Sequence, residues 1–173
     1  MRKILLVIDM QNDFIDGSLG TPEAVGIVEN VKKKIKEYDM DSVYATRDTH
    51  EENYLDTHEG KNLPVAHCIR GTDGWQIRSD IAELIKEENI IDKPVFGSYE
   101  LVDKMKELNE REEISIELVG LCTDICVASN ALLLRSALTE TDISVDSSCT
   151  AGVTPESHEA ALETMKMCQV VIK

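Results

Sequence analysis

Aromatic residues are scarce in this chain. Two phenylalanines, four tyrosines and one tryptophan make up 4% of 173 residues. That is too few to build the stacking platforms of single-stranded nucleic-acid binders. Positive charge is also short: 18 Lys and Arg stand against 33 Asp and Glu, a formal net charge of -15. Phosphate backbones and anionic membrane surfaces are repelled by such a chain, so neither nucleic acid nor membrane is an expected partner. Long hydrophobic runs are missing. The N-terminus offers a charged pair and a short apolar run before Asp9, too short for a signal peptide or a membrane span. Neither GxxxxGK[ST] nor GxGxxG occurs, so no nucleotide site is expected. The five cysteines are an odd count, scattered in a chain that needs no disulfide staples. A reducing cytoplasm is the expected compartment. There is no internal repeat, low-complexity segment or linker, and residues 1–173 read as one domain able to bury roughly 70% of its unfolded surface.

What is present is an alternation of strands and helices. A continuous apolar run predicts a strand at Lys3–Ile8, and further strands are expected at Ser42–Thr46, Asn89–Asp92, Ile114–Val119, Asp142–Val145 and Gln169–Ile172. Helical spacing predicts helices at Glu23–Tyr38, Ile77–Glu88, Tyr99–Asn109, Thr123–Leu138 and Pro155–Met167. Alternation of this kind implies βαβ units: an α/β protein with three layers, a six-stranded parallel sheet between helices, Rossmann-like in outline. The polar stretch Thr49–Gly74 is long for a loop in such a domain and marks a functional excursion.

In open parallel sheets, ligands bind off the carboxyl ends of the strands. Those ends carry Asp9, Asp48, Lys93, Cys126 and Asp146. The run Leu118-Val-Gly-Leu-Cys-Thr-Asp-Ile-Cys-Val127 predicts a buried strand, a tight turn and a helix capped by Thr123 or Asp124. With Thr123 as cap, Cys126 falls in the first helical turn, where the dipole should lower its thiol pKa. Two readings stand at this point. Cys122 and Cys126 are small core residues, as free cysteines usually are, or Cys126 is a nucleophile. In the second case Asp9 is the candidate base and Lys93 the candidate cation steadying the thiolate. The backbone N–H groups of Cys122 and Cys126 are then candidate oxyanion donors, and the reaction is acyl transfer followed by hydrolysis. Three of the four histidines lie in the excursion. Asp48-x-His50 with a distant histidine could hold a divalent metal on an open three-ligand face, or these could be plain surface histidines. A non-catalytic metal or redox module, with Cys122 and Cys126 as a reversible disulfide, is the alternative from another class.

Three blocks, Leu6-Val-Ile-Asp-Met-Gln-Asn-Asp-Phe14, Lys93, and Gly120-Leu-Cys-Thr-Asp-Ile-Cys-Val127, together resemble the isochorismatase-like cysteine hydrolases. That superfamily includes nicotinamidases and N-carbamoylsarcosine amidohydrolases. The resemblance implies a catalytic triad of Asp9, Lys93 and Cys126. It implies an oxyanion hole from the N–H groups of Cys122 and Cys126, and a cis peptide bond between Leu121 and Cys122. It further implies a metal held by Asp48, His50 and His67 (zinc, manganese or iron) that receives the pyridine nitrogen of the substrate. No organic cofactor is implied, and family members are often dimers or tetramers.

One departure is informative. Nicotinamidases usually carry Trp-Pro-x-His-Cys, whereas this chain has Leu63-Pro-Val-Ala-His67. An aromatic wall is lost unless Phe14, Tyr54, Phe96 or Trp75 replaces it, so Phe14, Leu63 and Phe96 are the expected pocket residues. The resulting expectation is cleavage of a small-molecule amide C–N bond through a thioester, with nicotinamide the first candidate substrate. A carbamoyl compound of the N-carbamoylsarcosine kind is the alternative.

Overall fold

The computed structural model describes residues 1–173. The strands are β1 (Arg2–Ile8), β2 (Val43–Asp48), β3 (Ile90–Lys93), β4 (Ile114–Leu121), β5 (Asp142–Ala151) and β6 (Val171–Ile172). The helices are α1 (Asn12–Ile15), α2 (Pro22–Ile35), α3 (His58–Asn62), α4 (Ser79–Ala82), α5 (Tyr99–Arg111), α6 (Ala128–Ala137) and α7 (Pro155–Met167). All strand pairs are parallel, in the order β3-β2-β1-β4-β5-β6. The chain starts at the centre, builds outward through β2 and β3, and then crosses to the other side of β1. The expected six-stranded α/β fold is what forms.

Successive strand residues point to opposite faces, so each strand feeds two cores. Ile4, Leu6 and Ile8 join Ile116, Leu118 and Ile143 under α5, α6 and α7. Leu5, Val7, Val43, Val119 and Leu121 join α1 and α2 on the other face. The long helices start where their caps say they should. The Thr21 hydroxyl accepts from the Ala24 N–H ahead of Pro22, and the Ser98 hydroxyl accepts from the Leu101 N–H. At α7, Thr154 and Ser157 cap each other reciprocally.

Two expectations need correction. The helix predicted at Ile77–Glu88 shrinks to α4, followed by tight turns. Ile77, Ile81 and Ile85 are all buried, so the spacing reported burial correctly. No side-chain cap starts the helix, and Leu84 and Ile85 already bond three residues back instead of four. Asp146 does not stand at a strand end. It lies within β5, which runs on to Ala151, and its carboxylate pairs with Lys34 Nζ of α2 at 2.9 Å, on a flank of the sheet.

β1 and β4 are neighbours whose following connections diverge to opposite sides of the sheet, and the crevice opens above them. Gly120 makes this close approach possible: its φ is +113°, and a Cβ there would run into the Ile8 carbonyl oxygen.

Candidate active site

Asp9 follows β1 directly, is fully buried, and takes a left-handed φ of 46°. Its Oδ1 accepts a 2.6 Å hydrogen bond from the Thr46 hydroxyl on β2. Lys93, the last residue of β3, reaches across β2 to meet it. The Lys93 Nζ lies 2.7 Å from Asp9 Oδ2, 3.1 Å from Asp48 Oδ1 and 3.5 Å from Cys126 Sγ. Apart from this ion pair, Asp9 Oδ2 has no partner in the protein. Burial works against the Lys93 charge, but the carboxylates and the thiol beside it outweigh burial and hold its pKa well above the usual lysine value. For Asp9, burial dominates and raises its pKa; Lys93 pulls the other way.

Cys126 sits in a π-turn at Thr123–Val127, ahead of α6. Thr123 does not cap it; its hydroxyl is bonded to His158 instead. The Cys122 carbonyl accepts from the N–H groups of Ile125 and Val127 and passes over Cys126, four residues on. The Cys122 N–H has no acceptor in the protein. The peptide bond between Leu121 and Cys122 is cis. The expected lowering of the Cys126 pKa is not what forms. Burial and the adjacent Asp9 push the thiol well above its ordinary value, and Lys93 offsets only part of this. A helix terminus in water favours the thiolate; here a dry site and a neighbouring carboxylate favour the thiol. Burial likewise pushes the Cys122 thiol up to about 12.

Asp48 ends β2, and its backbone N–H and C=O are both held by the buried amide of Gln11. Around it, Asp48 Oδ2, His50 Nε2, Glu59 Oε1 and His67 Nε2 lie within 4.8 Å of one another. His50 Nε2 is 3.0 Å from Asp48 Oδ2, yet is buried without a hydrogen bond. His67 Nδ1 is 2.8 Å from the Val65 carbonyl, which directs Nε2 into the cluster. Two carboxylates and two imidazoles converging on one point, one of them orphaned, fit a divalent cation. Tyr54 backs this cluster, its ring 4.6 Å from that of His50 and 4.9 Å from that of His67.

A cavity of about 210 Å³ joins the two clusters. Phe14, Leu63, Phe96, Leu121, Ile125 and Val153 give it an apolar lining; Asp48, Glu59 and His67 meet it on one side and Cys122 and Cys126 on the other. The three pocket residues expected from the sequence all line it. Tyr54 and Trp75 do not supply the missing wall: Tyr54 packs behind the histidines, and Trp75 lies under the Arg47 guanidinium at 3.7 Å.

Asp9, Lys93 and Cys126 are thus brought together, as are Asp48, His50 and His67. Glu59 was not expected. Thr57 caps α3 by accepting from the Gly60 N–H, and Glu59 joins the cluster while the adjacent His58 stays outside it. Asn130 was also missed. It donates to the Cys126 and Phe96 carbonyls and accepts from the Ser98 N–H, tying one pocket wall to the turn that carries Cys126.

The family model described as the isochorismatase domain matches residues 3–173. An uncharacterized isochorismatase family protein of Bacillus subtilis is 31% identical over 143 residues, covering 76% of this chain and 78% of that one. The nicotinamidase/pyrazinamidase of Mycobacterium tuberculosis is 28% identical over 97% of this chain and 96% of its own. Among solved structures, the pyrazinamidase of Pyrococcus horikoshii in complex with zinc superposes with a TM-score of 0.82 at 25% identity, covering 100% of this chain and 99% of that one.

Proposed function

The chain belongs to the isochorismatase domain family, and on that premise we propose that it is a cysteine amidohydrolase converting nicotinamide to nicotinate and ammonia. The observation that carries this reading is the meeting of Asp9, Lys93 and Cys126 in one buried cluster, of which Cys126 lines the cavity. Asp9 takes the thiol proton as Sγ attacks the amide carbonyl. Lys93 stays an ammonium and balances the charge that develops on sulfur. The carbonyl oxygen, now an oxyanion, is received by the N–H groups of Cys122 and Cys126. The C–N bond then breaks, Asp9 returns its proton to the leaving nitrogen, and ammonia departs from a thioester on Cys126. Asp9 next deprotonates a water that attacks the thioester, releasing the carboxylic acid and the thiol.

Asp48, His50, Glu59 and His67 would hold a divalent cation: zinc, manganese or iron. When bound, it would supply a Lewis acid for a ring nitrogen and so select the substrate. The structure of the Pyrococcus horikoshii pyrazinamidase in complex with zinc supports this. The lining contains no Arg or Lys to receive a carboxylate. This favours a neutral ring amide over an N-carbamoyl amino acid. The same reading takes residues 1–173 as a single hydrolase domain, acting in the cytoplasm as a homo-oligomer. No helix is long and apolar enough to cross a membrane. The test is ammonia release from nicotinamide by the metal-reconstituted protein, with Cys126→Ala as control. Release that disappears in the variant supports the reading; release that persists in Cys126→Ala sinks it.

A further inference from the structure

The π-turn that carries Cys126 lacks a side-chain cap at its start. Something else must fix its orientation. Asn130 holds one side through the Cys126 carbonyl. The other side is held from α7. Thr123 is fully buried, and its hydroxyl meets His158 Nδ1 at 2.8 Å. Asp124, the next residue, accepts the Val153 N–H at 3.2 Å on both carboxylate oxygens. His158 packs on Gly152 so closely that a Cβ there would lie 2.9 Å from His158 Cβ. Gly152 and Val153 both line the cavity. The turn is therefore bound to α7 through Thr123 and His158 and to the strap between β5 and α7 through Asp124 and Val153, while Gly152 packs the strap on His158. The α7 capping box anchors its far end.

We propose that Thr123, Asp124 and His158 form a latch with two outputs. His158 is a positioning residue: through Thr123 it sets the direction in which Cys126 Sγ faces the substrate. Asp124 is a specificity-determining residue: through Val153 it sets how far the strap closes the cavity. Neither side chain touches the reacting atoms. A polar contact on a fully buried hydroxyl is directional and costly to leave unmade. It can hold a turn in one place where apolar packing would let it slide. The proposal rests on Cys126 being the nucleophile, as above.

The test compares His158→Ala, His158→Asn and His158→Gln. Asn places a polar atom near the position of Nδ1, whereas Gln places one near Nε2 and withdraws it from Thr123. The readout is the iodoacetamide alkylation rate of Cys126, resolved by peptide mass, alongside kcat, KM and thermal midpoint. We expect His158→Ala and His158→Gln to slow alkylation and kcat by about tenfold, as small misplacements of a reacting group do, and His158→Asn to restore most of both. Asp124→Ala should raise KM more than it lowers kcat. The proposal is overturned if all three His158 variants alkylate at the wild-type rate, whatever their thermal midpoints. Rescue by Gln instead of Asn, or an Asp124→Ala effect confined to kcat, overturns it equally. If His158→Ala does not fold, the Asn and Gln pair still decides the matter, because both keep side-chain bulk. Alkylation differences in a protein that hydrolyses no amide would leave the latch standing and remove the proposed substrate.

Discussion

The Lys93 ammonium lies 2.7 Å from Asp9 Oδ2, with both side chains sealed from solvent. A buried ion pair of this kind contributes little net stability, yet breaking it leaves a charge without compensation. Lys93→Met would strand Asp9 and Asp48 together. We expect it to abolish turnover and to lower unfolding free energy by about 3–5 kcal/mol. Urea denaturation at neutral pH measures this, and a variant as stable as wild type would show that Lys93 is not the counter-charge of the cluster.

The four-residue cluster makes a separate prediction for metal. Glu59→Gln and His67→Ala should each weaken zinc binding by more than the roughly 10- to 100-fold that losing an outer partner costs. His58→Ala, although adjacent in sequence to Glu59, should bind zinc as wild type does. Titration calorimetry on the metal-free protein distinguishes these. Equal affinities for wild type and Glu59→Gln would remove Glu59 from the site.

At the flank of the sheet, Glu117 is buried within β4 and meets Lys173 Nζ at 2.8 Å, the Tyr38 hydroxyl, and Lys34 Nζ at 3.7 Å. Burial alone would raise its pKa, but Lys173 and Tyr38 outweigh burial and hold it below the ordinary glutamate value of 4.5. A depressed carboxyl stabilises the fold above its unfolded pKa and loses that contribution as pH falls through the folded one. The stability gap between wild type and Glu117→Gln should therefore narrow between about pH 6 and about pH 3. Urea midpoints across that range test it, and a gap independent of pH would contradict the assignment.

Gly120 supports the site without taking part in it. Gly120→Ala must accept φ near +113° and move the Ile8 backbone, whose next residue is Asp9. A loss above about 1 kcal/mol is expected, since both mechanisms act together. Activity should fall further than stability alone explains. A variant with unchanged midpoint and turnover would show that the crevice tolerates a wider β1–β4 spacing.

The sheet was legible because short apolar segments alternate with helical spacing, and because β1, β2 and β3 lead directly into Asp9, Asp48 and Lys93. Asp9, Lys93 and Cys126 could be found at those ends. Residues whose role depends on geometry across elements were not legible. Glu59 faces the cluster because Thr57 starts a short helix at the right phase. Asn130 and Thr46 act through hydrogen bonds to segments 32 to 37 residues away. The thiol of Cys126 was misjudged for a related reason. Its position in a turn is local and readable, whereas its burial beside Asp9 is a tertiary fact and outweighs the helix dipole. Ile77–Glu88 failed the other way: its periodicity was real, but periodicity reports burial, and no cap was present to turn burial into helix.

The measurement that tests the central claim most directly is rapid quenching of the metal-loaded protein during nicotinamide turnover, followed by peptide mass spectrometry. The account predicts a nicotinoyl thioester on the peptide carrying Cys126, at Sγ of that residue, absent from Cys126→Ala. Turnover with no acyl adduct at any time point, or with the adduct on Cys122, would contradict it.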